Sequence, residues 1–183
     1  IQKAVDQLAS DAAEVKDASG VFANPFSSTV GRDQELVEAM LTCSGIEQRR
    51  RLKTAKRYRS SGFAERYLKG LIPLCYDDPR TVAKQAETVA TDLIPSIPGI
   101  SPEERLGLAL SALSLFGFSL RMADQMEQAA AATYYGLKVS SSFRMLAMEG
   151  EFLRLGAYLL SDHGSFHEAL QLLGQAIVIF DEM

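Results

Sequence analysis

Residues 152–176 have the sequence FLRLGAYLLSDHGSFHEALQLLGQA, and they carry the clearest helix pattern in the chain. Four residues of its first half share one side of a helix at spacings of 3, 1 and 3: Phe152, Leu155, Gly156 and Leu159. Gly164 predicts a turn after that helix. Ser165, with Glu168 three residues further on, has the pattern of a capping box that opens a second helix. The stretch therefore predicts a helical hairpin, in which Gly156 faces the second helix near Ala169.

Helix boundaries are also clear upstream of this hairpin. Asp78 precedes Pro79 as an N-cap precedes a first helical residue. Ser101 and Glu104 form a second capping box, which opens an apolar helix. The boundaries expected after it are a break at Gly117, a helix over 120–139, a cap at Ser140–Ser142 and a helix over 143–162.

Signals for helix starts and ends are weaker in the first half of the chain. Its pattern predicts helices near 1–18, 33–43, 47–60 and 63–74, with a loop over 24–31. No alternation of period two persists in the sequence, so strands are not expected. The whole chain is predicted to be all-α, with about nine short antiparallel helices.

Composition excludes several classes of protein. The 183 residues are 47% hydrophobic and 23% charged, which are globular values, and they suit one sizeable domain. Only two cysteines, Cys43 and Cys75, are present, so a disulfide scaffold is excluded and a cytoplasmic location is expected. The longest uncharged run, 106–120, is shorter than the ~20 residues that span a bilayer, so no membrane insertion is expected. The first residues do not resemble a signal peptide, and the chain is expected to be a fragment of a longer protein.

The hairpin is similar to a tetratricopeptide repeat. The matching positions are Phe152, Leu155, Gly156, Leu159, Gly164, Phe166, Ala169, Leu173 and Ala176. The offsets of the second helix from Gly164 recur when they are counted from Gly117. The resemblance implies antiparallel hairpins stacked in a right-handed superhelix (an α-solenoid), with repeats at about 63–95, 101–139 and 141–183. Residues 1–60 then form an N-terminal helical segment, either a degenerate repeat or a cap.

Motifs that carry chemistry are missing from the sequence. It has no glycine-rich phosphate loop and no nucleophile elbow. His163 and His167 are four residues apart, but the expected turn at Gly164 lies between them, so a surface turn is favoured over a metal site. Catalytic, cofactor-binding and metal-binding residues are therefore all expected to be absent. An enzyme with an unrecognised helical active site is the weakest hypothesis.

One segment is strongly basic. Between Gly45 and Lys69, nine basic and two acidic residues give a net charge of +7, and the chain total of −4 leaves −11 for the rest. Leu52, Ala55 and Tyr58 are expected to face inward. The basic-face candidates are Arg49, Arg50, Arg51, Lys53, Lys56, Arg57 and Arg59. A solvated helix, a docking face for an acidic protein and a phosphate-binding surface remain open interpretations.

Two functional hypotheses follow. The resemblance to tetratricopeptide repeats, such as those beside the output domains of bacterial signalling proteins, implies a non-catalytic module that binds a protein, a peptide, its own output domain or a second copy. The groove is then expected at Leu153, Arg154, Ala157 and Leu160, and in the preceding repeat at Gly107, Ser111 and Ser114. The alternative is a nucleic-acid-associated regulator that uses the basic segment 45–69.

Overall fold

The computed structural model describes residues 1–16 and 30–183, and every regular element within those ranges is helical. The prediction of an all-α chain is confirmed. The nine α-helices of the described residues are α1 Gln2–Lys16, α2 Val30–Leu41, α3 Gly45–Thr54, α4 Ser61–Leu71, α5 Pro79–Thr88, α6 Pro102–Met122, α7 Met126–Ser142, α8 Leu146–Asp162 and α9 Phe166–Asp181. Residues 17–29, which include most of the expected loop 24–31 and the last residues of the helix expected over 1–18, lie outside the described residues.

Side-chain caps begin α5 and α6 where the sequence predicts them. The Asp78 carboxylate accepts a hydrogen bond from the Thr81 backbone N–H at 3.1 Å, and the Ser101 hydroxyl accepts one from Glu104 at 3.1 Å. Each cap satisfies one of the backbone donors that the first turn of a helix leaves free. Helix α5 continues into a π-helical turn, Val89–Leu93, and a 3₁₀ turn that contains Pro95.

The expected break at Gly117 is wrong, because α6 continues through this residue to Met122. Gly117 is buried, and a Cβ atom there would lie 3.1 Å from a Leu155 methyl group and 3.6 Å from Ala132 Cβ. A glycine costs a helix about 1 kcal/mol relative to alanine. Here the missing side chain lets α6 approach both α7 and α8.

Three equivalent turns join the last four helices. Asp124, Arg144 and Gly164, each 20 residues from the next, have φ values of 60°, 54° and 79°. The residue after each turn donates its backbone N–H to a carbonyl five residues back, at 2.9 Å in all three turns. This is the hydrogen-bond pattern of the Schellman motif.

These turns correct the helix boundaries predicted around Ser140–Ser142 and at Ser165. Ser140–Ser142 end α7 and do not cap the next helix, so the helices expected over 120–139 and 143–162 are in fact α7 and α8. Ser165 occupies an N-cap position without a side-chain hydrogen bond. At Ser165 the angle ψ is 61°, whereas the cap at Ser101 has an extended ψ of 157°. The backbone N–H of Ser165 donates to the Leu160 carbonyl within the preceding turn.

Consecutive helices pack against each other from α5 to α9, and α6 also packs against α8. The pair α8 and α9 is antiparallel, because Gly150 lies under the Phe180 ring and Gly156 lies under Leu172. Gly156 thus faces the expected helix, one turn away from Ala169. In the first half, α1 packs on α6, α2 on α4 and α3 on α5.

Helix α6 lies at the centre of this packing. Most of its apolar residues are buried in the main core. Among the described residues it is the one helix long and apolar enough, by length and composition, to cross a membrane, and 56% of its most apolar window is buried inside the fold. Burial of this kind is typical of the central helix of a folded domain.

Candidate interaction surfaces

Helices α6 and α8 present matching faces, displaced by 40 residues. Both rows are partly exposed, and together we call them the α6–α8 face. Its α6 row is Gly107, Ser111, Ser114, Phe118 and Arg121. Its α8 row is Ala147, Glu151, Arg154, Tyr158 and Ser161. Because spacings of 4, 3, 4 and 3 follow one side of a helix, each row is continuous.

Contacts at both ends hold the two rows in register. At one end the Ser111 hydroxyl lies 3.5 Å from the Met148 sulfur. At the other end Arg121 Nη2 donates to Asp162 at 3.0 Å, alongside a second bond from Nε to the same carboxylate. These bonds lower the pKa of Asp162 and raise that of Arg121. The bidentate pair fixes the guanidinium as well as neutralising it.

An aromatic ring contacted by two arginines is the most structured part of this face. The guanidinium carbons of Arg121 and Arg154 lie 5.2 Å and 5.5 Å from the centre of the Tyr158 ring. Arg154 also donates to the Tyr158 hydroxyl at 3.2 Å and to the Glu151 carboxylate. Cations at these distances interact favourably with the ring face. The two guanidiniums are thus held in place before any partner arrives.

The aromatic surface extends toward the first half of the chain. The Tyr76 ring, 67% exposed, packs edge-on against Phe118 with 6.1 Å between ring centres. Tyr76 follows α4 in a 3₁₀ turn, Pro73–Tyr76. Tyr76 therefore extends the aromatic surface of the α6–α8 face beyond Phe118.

The groove residues expected from the sequence occupy several environments. Leu153 and Ala157 are 6% and 1% exposed, and Leu160 is half-buried. Leu153 lines a cleft of about 510 Å³ between the ends of α7, α8 and α9. Arg154 is exposed, and it belongs to the α6–α8 face.

The expected groove residues on α6 and on α8 are also not equivalent positions, because the two sets lie 46 residues apart. Equating Gly117 with Gly164 shifts the second hairpin by 47 residues, whereas the turns repeat after 40. Gly107, Ser111 and Ser114 do lie on the α6–α8 face. Sequence analysis missed Phe118, Arg121, Glu151 and Tyr158, and a 40-residue comparison of the two helices is the signal that finds them.

Much of the basic segment is paired within the chain. Glu47 accepts hydrogen bonds from both Arg50 and Arg51, and these bonds lower the pKa of its carboxyl to about 2. Lys53 lies 3.5 Å from Asp92 on the neighbouring π-helical turn. Helix α3 ends at Thr54, earlier than predicted. Leu52 and Tyr58 nevertheless face inward, with exposures of 1% and 0%.

Four cations of this segment have no carboxylate within ion-pair distance among the described residues. They are Arg49, Lys56, Arg57 and Arg59. Arg57 donates to the Tyr58 hydroxyl at 2.6 Å and lies over the same ring. Lys56 and Arg57 lie in the 3₁₀ turn Lys56–Tyr58, and Arg59 follows it directly, so positive charge is concentrated where α3 ends.

The described residues contain no group of three or more potential metal ligands. His163 ends α8 and His167 lies in the first turn of α9, where its ring nitrogen is 3.2 Å from the Gln171 amide. Cys75 is buried, and its sulfur lies 3.3 Å from the Ser119 hydroxyl. Burial raises the pKa of this thiol, which disfavours the reactive thiolate.

Comparison with known proteins assigns no family. No family model, no curated protein and no solved structure matches this chain. The resemblance to tetratricopeptide repeats therefore rests on the sequence positions alone.

Proposed function

We propose that this chain is a non-catalytic protein-interaction module, in which tetratricopeptide-like hairpins stack as a right-handed superhelix. In this proposal it is part of a larger cytoplasmic signalling protein of bacterial type. The observation that carries the proposal is the 40-residue correspondence between the α6 row and the α8 row. Helical repeats place equivalent side chains side by side in this way, and they use the resulting surface to bind other proteins.

The chemistry of the α6–α8 face supports a protein or peptide as its partner. Gly107, Ser111 and Ala147 are small, so they leave room for a partner's backbone. Phe118 and Tyr158 offer partly exposed rings for apolar side chains. Arg121 and Arg154 are already oriented by carboxylates, which limits the entropy that binding would cost. Aromatic and arginine side chains are the types enriched at the centres of protein interfaces.

In this proposal the bound segment belongs to another protein or to the larger protein of which this chain is a part. Alanine substitution tests the site in either case. We expect Tyr158→Ala and Phe118→Ala to weaken a captured partner at least about tenfold, as removal of a central interface residue does. Tyr134→Ala is the matched control, because Tyr134 is 73% exposed on α7 and lies outside the face.

Binding should be measured with the purified partner by calorimetry, after circular dichroism has shown that each variant keeps its helix content. Equal affinity of the wild type, Tyr158→Ala and Phe118→Ala would show that the partner binds elsewhere. Replacing Leu153 and Leu160 by glutamate then tests the groove expected from the sequence.

The four cations without carboxylate partners support a second candidate, a nucleic-acid-associated regulator. In this proposal Arg49, Lys56, Arg57 and Arg59 contact phosphates. Four contacts predict a slope of about −3.6 for log affinity against log salt with duplex DNA. Fluorescence anisotropy over a salt series measures that slope. A fourfold alanine variant should abolish binding, and Arg50→Ala should change it less, because Arg50 is already paired with Glu47.

A further inference from the structure

The aromatic residues of the α6–α8 face gather toward one end of it. Phe118 and Tyr158 occupy equivalent positions of the two rows, and Tyr76 packs edge-on against Phe118. Arg121 lies over the Tyr158 ring. Its pKa is raised chiefly by hydrogen bonds to Asp162, and the nearby hydroxyls of Tyr158 and Tyr76 add to that rise. The three rings therefore form one track, which runs from the turn after α4 across α6 to α8.

The charges of the face are balanced. Asp162 pairs with Arg121, and Glu151 pairs with Arg154. The ends of both helices, the turns beside them and the residue after Tyr76 add five acids, two arginines and one histidine. These are Asp77, Glu103, Glu104, Asp124, Glu149, Arg105, Arg144 and His163. An acidic or phosphorylated segment is therefore disfavoured, and the balanced face matches an uncharged segment.

The spacing of the two equivalent rings matches one turn of a polyproline II helix. Packed helices have axes roughly 8–10 Å apart, and α6 packs on α8. Contacts between them join positions 37 and 41 residues apart, so Phe118 and Tyr158 lie side by side at about this distance. A polyproline II segment advances about 9 Å in each turn of three residues. Prolines three residues apart therefore meet the two rings in turn.

We propose that the α6–α8 face binds an uncharged, proline-rich segment of a partner protein in the polyproline II conformation, with prolines three residues apart against Phe118 and Tyr158. The inference rests on the proposed function and names its class of partner. Such a segment has no internal hydrogen bonds, so its carbonyls are free to accept. Asp162 takes two of the five N–H donors of Arg121, and the others are placed to donate to a carbonyl between the prolines.

The preformed conformation of the segment favours binding, because little entropy is lost when it docks on aromatic side chains. An amphipathic helix fits the face less well, since it needs apolar anchors along its length. Away from the rings and the ion pairs, the two rows consist of small or hydroxyl-bearing residues, namely Gly107, Ser111, Ser114, Ala147 and Ser161. The chain's own Pro95 and Pro98 are three residues apart, but Ile94 and Ile97 beside them are buried, so this pair is not available to a second copy.

A synthetic peptide tests the inference without a known partner. Uncharged Pro-Pro-Gln repeats, about twelve residues long and carrying a neutral fluorophore, are titrated with the chain and followed by fluorescence anisotropy. Saturable binding is expected. The same peptide with every proline replaced by alanine should bind at least about tenfold more weakly. The affinity should change less than about threefold between about 50 and 500 mM salt, because both guanidiniums are already paired.

Variants of the chain locate the bound peptide. Tyr158→Ala and Phe118→Ala should each weaken binding at least about tenfold. Tyr76→Ala should weaken it about threefold or more. Because Tyr76 is 67% exposed, this variant keeps the test valid even if Phe118→Ala unfolds the chain. Tyr134→Ala, at a site 73% exposed on α7, is the matched control and should bind like the wild type.

Three results would overturn the inference: no saturable binding up to about 1 mM chain, equal binding of the alanine peptide, or binding that neither Tyr158→Ala nor Tyr76→Ala weakens. A strong salt dependence would overturn it as well, because the ligand contacts would then be ionic. The proposed function fails separately. It is lost when Tyr158→Ala and Phe118→Ala leave the affinity of a captured partner unchanged, whatever the peptide does.

Discussion

The two halves of this chain fix their helices in different ways. From α6 to α9, helices of similar length are joined by three equivalent turns, and glycines let them approach closely. From α1 to α5, the helices are shorter and are interrupted by 3₁₀ and π turns. The first half relies on side-chain caps and on a buried polar network. The comparison shows that regular spacing and specific polar contacts are alternative means of setting how helices pack.

The buried network of the first half joins three helices. Gln48 Oε1 accepts from the Tyr67 hydroxyl at 2.5 Å and from the Gln85 amide at 2.7 Å. All three side chains are at most 3% exposed. Burial raises the pKa of Tyr67, so its hydroxyl stays protonated and able to donate. The Tyr67 ring also stacks on Phe63 at 5.6 Å.

The largest expected effect breaks the close packing of the second half. A Cβ at Gly136 would lie 2.2 Å from the Phe152 ring, which is fully buried. We expect Gly136→Leu to lower the free energy of unfolding by about 3 kcal/mol or more, because the ring has no space to move. Gly156→Leu should cost less, about 1–3 kcal/mol, since the neighbouring Leu172 is flexible.

Chemical denaturation measures both changes. Gly174→Ala is the control, and it should be neutral or stabilising by up to about 1 kcal/mol, because its surroundings are open. Equal stability of Gly136→Leu and the control would contradict the helix contact described here.

The next effect breaks the network of the first half. Gln48→Leu removes the acceptor for two buried donors, and it should lower the free energy of unfolding by about 2–3 kcal/mol. Adding Tyr67→Phe should recover part of that loss, because one stranded donor is removed. A double-mutant cycle detects this coupling. Additive losses in the cycle would indicate that Gln48 and Tyr67 do not share a hydrogen bond.

A smaller effect sharpens the comparison by acting on the turns. Arg144 has a positive φ of 54°, which costs a side chain with a Cβ roughly 1 kcal/mol. Arg144→Gly should therefore raise the free energy of unfolding by up to about 1 kcal/mol, and Gly164→Ala should lower it by a similar amount. Asp124→Gly should raise the free energy of unfolding by less, since aspartate tolerates this conformation. Thermal unfolding of the three variants tests this order, and a stabilised Gly164→Ala would be inconsistent with it.

The smallest effect concerns the ion pair that holds the α6–α8 face in register. The lowered pKa of Asp162 means that its contribution is present above the ordinary carboxyl pKa of about 4 and is lost as the pH falls through the lower folded value. Arg121→Met should cost about 0.5–1 kcal/mol at pH 7, and less as the pH falls below about 4. Lys138→Met, which removes an exposed cation without an ion pair among the described residues, should show no such pH dependence.

Sequence analysis succeeded where a boundary depends on nearby residues. The caps at Asp78 and Ser101 involve side chains that bond three residues along the chain, so their pattern is visible in the sequence. The all-α class followed from helical periodicity and the absence of alternation. The inward positions of Leu52 and Tyr58 followed from their spacing even though α3 ends between them.

It failed where packing overrides local preference. Arg144 gives no signal for a left-handed turn, and Gly117 gives a strong but misleading signal for a break. Both outcomes depend on packing against the neighbouring helices. That packing determines where α7 ends, and it lets α6 continue through Gly117. The offset of 47 residues instead of 40 followed from that error, and it left the row on α8 that is equivalent to the α6 row unrecognised. Nothing in the sequence near Gln48 indicates that it forms a hydrogen bond with Gln85, 37 residues away.

The equal spacing of the three turns also bears on how such a chain changes in length during evolution. The left-handed turn conformation recurs every twenty residues. Because successive helices run in opposite directions, the turn conformation and the helix direction recur together only every forty residues. Duplicating or deleting the length from Asp124 to His163 joins one left-handed turn to another and keeps the flanking helices in phase. Helix pairs can therefore be added or lost as complete modules without inventing a new turn. In the described residues of the first half, helices depend on distant partners such as Gln48 and Gln85, and no comparable unit recurs.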